Sequence, residues 1–282
     1  MIENCALCNE KRELKSSHII PKFVGKWLKD TSATGFLRQV SNPDKREQDI
    51  SKIPLLCGEC EKLFNINETL FAEKIFRPFQ SGCTRFDYDT WLLKFIISVQ
   101  WRVIATQRET AKGIPDGLLE KLNNAFEMWR EYLLGKSDKY GLYTHHVFFL
   151  DKIESVGEGI ELTDRPNMYL LRSIDSTIGS NGKDKLFIYT KLPGVIIWSQ
   201  LYPESIKGWS KTRVYDWGTL KIPQSCSVEG FGDFLSSRME VSRDYQISDV
   251  QVQKITKSAM KNVEKTIKSR SYAALVADEK LK

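Results

Sequence analysis

The feature that most constrains this chain is a set of two C-x-x-C pairs. The first pair is Cys5 and Cys8, and the second is Cys57 and Cys60. Two such pairs supply the four thiolates of a closed tetrahedral zinc site. The alternative is two pairs of reduced structural thiols. The 48 residues between Cys8 and Cys57 exceed the spacing of a compact zinc ribbon, which makes the pattern less specific for zinc. We expect a structural zinc ion on these four cysteines.

The composition is that of an ordinary soluble protein. The chain has 282 residues, of which 41% are hydrophobic and 28% charged, enough for one large domain or two modest ones. No apolar run approaches the roughly 20 residues that cross a bilayer, and the first residues lack the pattern of a signal peptide. We therefore expect a cytoplasmic protein without a membrane partner, where paired cysteines favour a metal over a disulfide. Cys83 and Cys226 have no close partner and are predicted to be core thiols.

The net charge of +6 is mild, and its excess lies at the two ends of the chain. Residues 1–80 carry 13 Lys and Arg against 11 Asp and Glu, and residues 248–282 carry 8 against 4. An excess of this size does not by itself indicate nucleic-acid binding. Zinc with four thiolates has two net negative charges, which offsets the first excess. Any phosphate contact must therefore come from individually placed side chains.

Residues 1–80 are predicted to form the cysteine unit. Its expected elements are a strand, a helix, a polar insertion or ordered loop, and a longer helix, at residues 13–20, 22–29, 31–52 and 61–76. The longer helix has an apolar stripe on one face. Glu61, Asn65 and Glu68 recur at helical spacing on another face.

Residues 81–282 are predicted to form a second domain, with a recognition or regulatory role. Asp89 is a favourable N-cap for an apolar helix that packs in the core, and Gly135 ends a second helix. His145 and His146 are expected at a turn or strand edge rather than at a metal. An antiparallel β-rich region and a Lys-rich amphipathic helix over 248–282 follow, with strands at 147–150, 168–171, 185–190 and 195–198. The expected fold class is α+β.

The cysteine pairs, the Ser17-His18-Ile19-Ile20-Pro21 segment and Glu61 directly after Cys60 resemble the HNH (ββα-metal) endonuclease family in its four-cysteine form. The resemblance covers the N-terminal quarter of the chain. The remainder resembles uncharacterised bacterial proteins that begin with an HNH-like unit. This resemblance implies a zinc-pinned ββα-metal unit in which zinc is structural and the chemistry is phosphodiester hydrolysis.

The resemblance also implies roles for individual residues. His18 matches the general base of the family, and Glu61 matches a ligand of the catalytic metal. A structural histidine and a solvated helical glutamate are the alternatives. Ser17 stands where the family usually has a metal-binding acid, the family's middle asparagine has no match, and the helix has no histidine. Glu61 with Glu68 or Asn65 would then hold Mg²⁺ or Mn²⁺, which bind through oxygen ligands.

A nuclease of this kind needs cations beside the substrate phosphate, and Lys22 and Arg46 are the candidates. DNA is favoured over RNA as the substrate. The alternative function is a zinc-stabilised module that binds nucleic acid or protein through a degenerate site. Nucleases with a second, sensor-like domain commonly serve in phage defence or await a protein activator, so both are expectations by analogy.

Overall fold

Antiparallel strands and a helix carry the cysteine unit. The computed structural model describes residues 2–157, 164–243 and 247–281. A π-helical segment, Ala72–Phe76, joins the last two helices of this part. Its elements are β1 Ile2–Asn4, β2 Lys11–His18, α1 Lys22–Asp30, β3 Leu37–Gln39, β4 Asn42–Glu47, β5 Lys52–Cys57, α2 Gly58–Phe71 and α3 Arg77–Gln80.

The pairing of β2 with β5 decides where His18 lies. Leu14 is opposite Cys57 and His18 is opposite Lys52, so the histidine lies at the far end of the two strands from the second cysteine pair. Helix α2 follows β5 directly and packs on both strands. The strands β2 and β5 and the helix α2 therefore form a packed ββα unit.

The remaining elements form a mixed α+β arrangement, so the expected fold class is confirmed. They are β6 Arg85–Tyr88, α4 Thr90–Gln107, α5 Asp116–Leu133, β7 Thr144–Phe149, α6 Pro166–Arg172, β8 Asp175–Ser180, β9 Leu186–Leu192, β10 Val195–Tyr202, β11 Trp209–Ser210, β12 Arg213–Val214, β13 Gly218–Lys221, β14 Ser225–Cys226, α7 Phe231–Arg243, α8 Asp249–Met260, α9 Val263–Lys268 and α10 Arg270–Glu279. Five strands pair in the order β12-β7-β10-β9-β8, all antiparallel.

Helix α4 is the buried centre of the molecule. Asp89 accepts a 3.2 Å hydrogen bond from the Trp91 N–H, so the predicted N-cap is confirmed. Gly135 follows α5 with φ 69°, a left-handed value that suits glycine at the end of a helix. Gln100 of α4 donates to the carbonyl oxygens of Ile188 and Ile197, at 3.2 and 3.1 Å. These bonds hold the helix to the five-stranded sheet.

One apolar core continues across residue 80. Cys5 and Phe64 of the first part lie in the same buried cluster as Trp101 and Phe126 of α4 and α5. The rings of Phe64 and Trp101 lie 6.2 Å apart, edge to face. The cysteine unit therefore packs on the second part of the chain, and the division at residue 80 stays a prediction.

One predicted strand is a helix in the structure. The run Met168–Leu171 is part of helix α6, because Pro166 starts the helix and Tyr169 and Leu170 are buried in a cluster with Met239. Within the polar stretch 31–52, predicted as an insertion or an ordered loop, β3 and β4 pair as a hairpin.

The C-terminal segment also departs from its prediction. It is three helices, because Asn262 and Ser269 leave the helical conformation and cap the helices that follow. Of the five residues that form the apolar face of the predicted helix, Val252, Val263 and Ile267 are exposed, whereas Ile255 and Ala259 are half-buried. No helix in the three described ranges has both the length and the apolar character needed to span a bilayer.

The unpaired cysteines and the paired histidines were also predicted wrongly. Cys83 is exposed and Cys226 half-buried, so neither is a core thiol. His145 and His146 are buried in β7, an inner strand, because their Nδ1 atoms are paired with the hydroxyl oxygens of Ser199 and Thr212.

Candidate metal centre and histidine site

The two cysteine pairs meet in one cluster. The Sγ atoms of Cys5, Cys8, Cys57 and Cys60 all lie within 4.8 Å of one another, and those of Cys8 and Cys57 are 3.9 Å apart. Zinc–sulfur bonds of about 2.3 Å in a tetrahedron separate the sulfurs by about 3.8 Å. The cluster is therefore compatible with a structural zinc ion, as the sequence predicts.

Backbone hydrogen bonds shape the first cysteine pair and join it to the second. The Asn9 N–H donates to the Cys5 carbonyl at 2.9 Å, and Asn9 has φ 61°, a conformation that asparagine tolerates. The Ala6 N–H donates to the Leu55 carbonyl at 3.0 Å, and the Cys57 N–H to the Cys5 sulfur at 3.3 Å. The two pairs are thus held together by the chain itself.

The electrostatics of the cluster favour a cation. Burial, and then the charge of Cys5, raise the pKa of Cys60 well above its usual value. Burial also opposes the ionisation of Cys5, but hydrogen bonds from the N–H groups of Cys8 and Cys57 outweigh it and lower the pKa. Four thiolates at these distances repel one another, and a coordinated divalent cation deprotonates thiols by offsetting that repulsion.

A second site lies at the other end of β2. The Nε2 atom of His18 is 2.9 Å from Oδ2 of Asp49. Side-chain exposures of 16% for His18 and 32% for Asp49 show that the pair is half-buried at the protein surface rather than in the core. His18 is four residues beyond the partner of Cys57, which puts the pair about 13 Å along the strand from the cysteine cluster.

The proton between His18 and Asp49 can be assigned from the carboxylate. Burial alone would raise the pKa of Asp49, but the hydrogen bond and charge of His18, with the N–H of Ile50, bring it below the usual value. An ionised carboxylate only accepts hydrogen bonds. In the neutral imidazole, Nε2 of His18 is therefore the nitrogen that donates to Asp49, and Nδ1, which bonds to no other described residue, has the free lone pair.

Neighbouring residues fix Asp49 from two directions. The Ile50 N–H donates to Oδ1 of Asp49 at 3.0 Å, and the exposed Lys52 ammonium lies 3.4 Å from Oδ2. Lys29 of α1 donates to the Gln48 carbonyl at 2.6 Å, one residue before Asp49. The carboxylate is thus held in place by its own loop and by α1.

Arg102 supports the His18 backbone from α4. Its Nη1 donates to the His18 carbonyl at 2.9 Å, and its Nη2 forms a 2.7 Å ion pair with Glu68. The side chains of Arg102 and Glu68 are only 3% and 14% exposed, so the ion pair is largely buried. Glu68 therefore lies at the His18 end of α2, but its charge is already balanced by Arg102.

The other predicted metal ligands lie apart from His18. Ser17 is fully buried, and its hydroxyl accepts from the Leu56 N–H at 3.1 Å, because successive strand residues point to opposite faces. Glu61 is half-buried in the first turn of α2, beside the cysteines, and forms no contact with His18. Asn65 is exposed on the same helix.

The two predicted phosphate-binding residues are on the surface. Lys22 is exposed at the start of α1, four residues after His18. Arg46 of β4 is exposed, with its guanidinium 4.8 Å from the centre of the Phe36 ring. Both therefore remain accessible to a ligand.

Sequence reasoning missed Asp49 and Arg102. An acidic residue three positions before β5 was the available signal for Asp49, because β5 pairs with the strand that ends at His18. For Arg102, the signal was a cation within a largely apolar helix, which requires a buried partner. Comparisons with models of known protein families, with curated proteins and with solved structures give no match.

Proposed function

We propose that the protein is a metal-dependent endonuclease of the HNH type that hydrolyses nucleic-acid phosphodiesters, with DNA favoured over RNA. The observation that supports this function best is the hydrogen bond between His18 and Asp49 at the end of a ββα unit. Four cysteines compatible with structural zinc pin the other end of the same unit. Zinc takes no part in the chemistry, because four thiolates leave no open coordination position.

His18 is the general base of this proposal. The Nε2 proton is directed at Asp49, so Nδ1 is the atom that takes a proton from the attacking water. Asp49 keeps the imidazole in one tautomer and stabilises the cation that forms. Arg102 fixes the strand end by bonding to the His18 carbonyl, which limits movement of the base.

A divalent cation belongs to the proposal, and the residues present fit it through few ligands. Asp49 is the best candidate, because its partner Lys52 is an exposed side chain at 3.4 Å that a cation can displace. Glu61, Glu68 and Asn65 are further candidates. Mg²⁺ often binds through one or two carboxylates, with phosphate and water completing the shell. When bound, Mg²⁺ or Mn²⁺ supplies Lewis-acid stabilisation of the scissile phosphate and the leaving oxygen.

Cations around the dyad would neutralise the phosphates that flank the scissile bond. Lys22 and Lys52 are exposed on the two elements that flank His18, and Arg46 is exposed on the neighbouring hairpin. These side chains are individually placed rather than part of a large basic field, in agreement with the small net charge of +6.

The test is cleavage of supercoiled plasmid by the purified full chain with Mg²⁺ or Mn²⁺. We expect nicking or cutting that co-elutes with the protein, stops in EDTA and stops in His18→Ala. His18→Ala that cleaves at the full rate would remove His18 from the mechanism. Ile66→Ala, which changes an exposed side chain on α2 that has no part in the proposed site, is the matched control and should cleave normally.

A zinc-stabilised module that binds nucleic acid or protein without turnover is the second candidate. The burial of Ser17 and the pairing of Glu68 with Arg102 favour it, because both reduce the ligands available to a catalytic metal. It predicts binding that is indifferent to Mg²⁺. Cleavage that depends on Mg²⁺ would exclude it.

A role in phage defence, with a protein activator, is a further part of the proposal by analogy only. Plaque counts on bacteria that express the wild-type chain, compared with His18→Ala, test it. Equal plaque counts in the two strains would contradict a defence role for the nuclease.

A further inference from the structure

Helix α8 carries a row of lysines that the proposed chemistry does not use. Lys254, Lys257 and Lys261, here called the lysine stripe, are exposed on α8 and at its C-cap. Spacings of three and seven residues put them within about 60° of one another around the helix. Helix α8 has no buried residue, so its lysines do not serve as a cover for a core.

The lysine stripe is only weakly neutralised. From Val250 to Val263 the chain has these three lysines and no acidic residue. Lys257 and Lys261 have no acidic partner in the described ranges, and Lys254 faces Asp44. Hydrogen bonds from Ser248 chiefly lower the pKa of Asp44, with smaller effects of the charges of Arg38 and Lys254. The Asp44 carboxylate is thus already engaged by the backbone before α8.

Polar contacts attach α8 to the hairpin that leads to the histidine site. The Ser248 N–H donates to Asp44 at 2.9 Å, and Arg38 donates to Gln251 at 3.4 Å. Asp44, the partner of Ser248, lies in β4 five residues before Asp49, so at most about 17 Å of extended chain separates it from the dyad. Arg46, exposed on the same strand, lies between Asp44 and Asp49 in the chain.

We propose that the lysine stripe binds the phosphate backbone of a nucleic-acid duplex and holds it across the β3–β4 hairpin toward His18. This inference rests on the proposed nuclease function and names the surface that grips its substrate. The stripe spans about 10 Å of helix, which is three rises of about 3.4 Å, so its three lysines fall within the span of four successive phosphates of one strand. Such contacts position the duplex and carry no sequence preference.

The test measures binding of a fluorescein-labelled DNA duplex to full-length His18→Ala, without divalent metal, by fluorescence anisotropy from 50 to 200 mM salt. His18→Ala is the parent of the comparison. The stripe variant also carries Lys254→Gln, Lys257→Gln and Lys261→Gln, which keep helix propensity. Loss of three phosphate contacts should reduce the slope of log affinity against log salt by about 2.7. The salt-dependent loss of affinity between 50 and 200 mM should then be roughly 40-fold smaller than in the parent.

A control variant removes three exposed lysines that lie in loops away from α8, through the changes Lys136→Gln, Lys183→Gln and Lys207→Gln. It should keep the slope of the parent. Lys→Arg changes at all three stripe positions should also keep it. Three results would overturn the proposal. They are an unchanged slope in the stripe variant, a reduction of the slope in the control equal to that in the stripe variant, and no duplex binding by the parent. Loss of binding to phosphatidylserine vesicles with duplex binding unchanged would also overturn it, since the stripe would then recognise a lipid surface.

The same assay separates this inference from the nuclease proposal. If duplex binding requires the lysine stripe but the wild-type chain does not cleave, the nuclease proposal is refuted and the proposal for the lysine stripe stands. If cleavage depends on His18 but the stripe variant binds the duplex normally, the proposal for the lysine stripe is refuted and the nuclease proposal stands. Circular dichroism and thermal midpoints of each variant confirm that the fold is intact.

Discussion

Ile50 packs directly against the backbone of Gly25 in helix α1. A Cβ atom on Gly25 would lie 2.7 Å from Cγ2 of Ile50, closer than carbon atoms normally approach. Ile50 follows Asp49 and donates its N–H to that carboxylate. The absence of a side chain on Gly25 thus lets α1 support the loop that orients His18.

The substitution Gly25→Ala should displace Ile50 and destabilise the protein by about 1 to 3 kcal/mol, the usual range for overpacking. Alanine is otherwise favoured over glycine in a helix by roughly 0.5–1 kcal/mol. Gly117→Ala is the control, since no atom lies within 4 Å of its added Cβ. Urea unfolding should show opposite signs for the two changes. A stabilised Gly25→Ala would contradict the close approach.

The Asp49→Asn change should lower plasmid cleavage about 10- to 100-fold, because a neutral amide no longer stabilises the His18 cation. His18→Ala should cost about 10²- to 10⁴-fold. In the double variant, Asp49→Asn should add no further loss through the dyad, since the two residues act as a unit there, and any further loss measures its role as a metal ligand. Single-turnover rates measure all three. Additive losses would show that Asp49 acts separately from His18, for instance only as a metal ligand.

Zinc removal should unfold the N-terminal unit. The cysteine cluster shares its core with Trp101 and Phe126, so loss of the metal should also lower the thermal midpoint of the whole chain. Metal analysis should give about one zinc per chain, and none in Cys60→Ser. Cys83→Ser, at an exposed thiol, should keep both zinc and stability. A zinc-free protein with an unchanged midpoint would refute a structural role.

The two buried histidines should make the protein sensitive to acid. Burial lowers the pKa of both histidines to about 3, and the charge of Arg213 adds to this for His145, as do the charges of His145 and Arg213 for His146. The unfolded chain binds these protons near pH 6.5 and the folded chain does not, so stability is full above pH 6.5 and falls as the pH drops toward 3. The slope should approach roughly 2 to 3 kcal/mol per pH unit for the pair.

Urea unfolding at pH 7.5, 6.0 and 5.0 measures this slope. The His145→Gln variant should lose about half of it, since one of the two titrating groups is gone. Equal stability at pH 7.5 and 5.0 in the wild-type chain would show that the histidines are protonated at no penalty in the folded state. The variant serves as its own stability control at pH 7.5.

The sequence alone determined the features that depend on local pattern and spacing. The two C-x-x-C pairs predicted the metal cluster, because each pair brings two thiols to one turn whatever the rest of the chain does. Asp89 and Gly135 marked the ends of two helices through their own backbone preferences. Pro193 and Gly194 are turn-forming residues between two predicted strands, and β9 and β10 pair as a hairpin around them.

Only the tertiary structure decided which side chains meet at the candidate site. Asp49 reaches His18 across 31 residues, and Arg102 reaches Glu68 across 34, so no local pattern links them. Their pairing depends on the register of β2 with β5 and on where α4 crosses the ββα unit. Local pattern fixes which face of an element is apolar, but the free energy of burying charges decides which polar groups must be neighbours. That free energy depends on contacts between distant segments, which exist only in the folded chain.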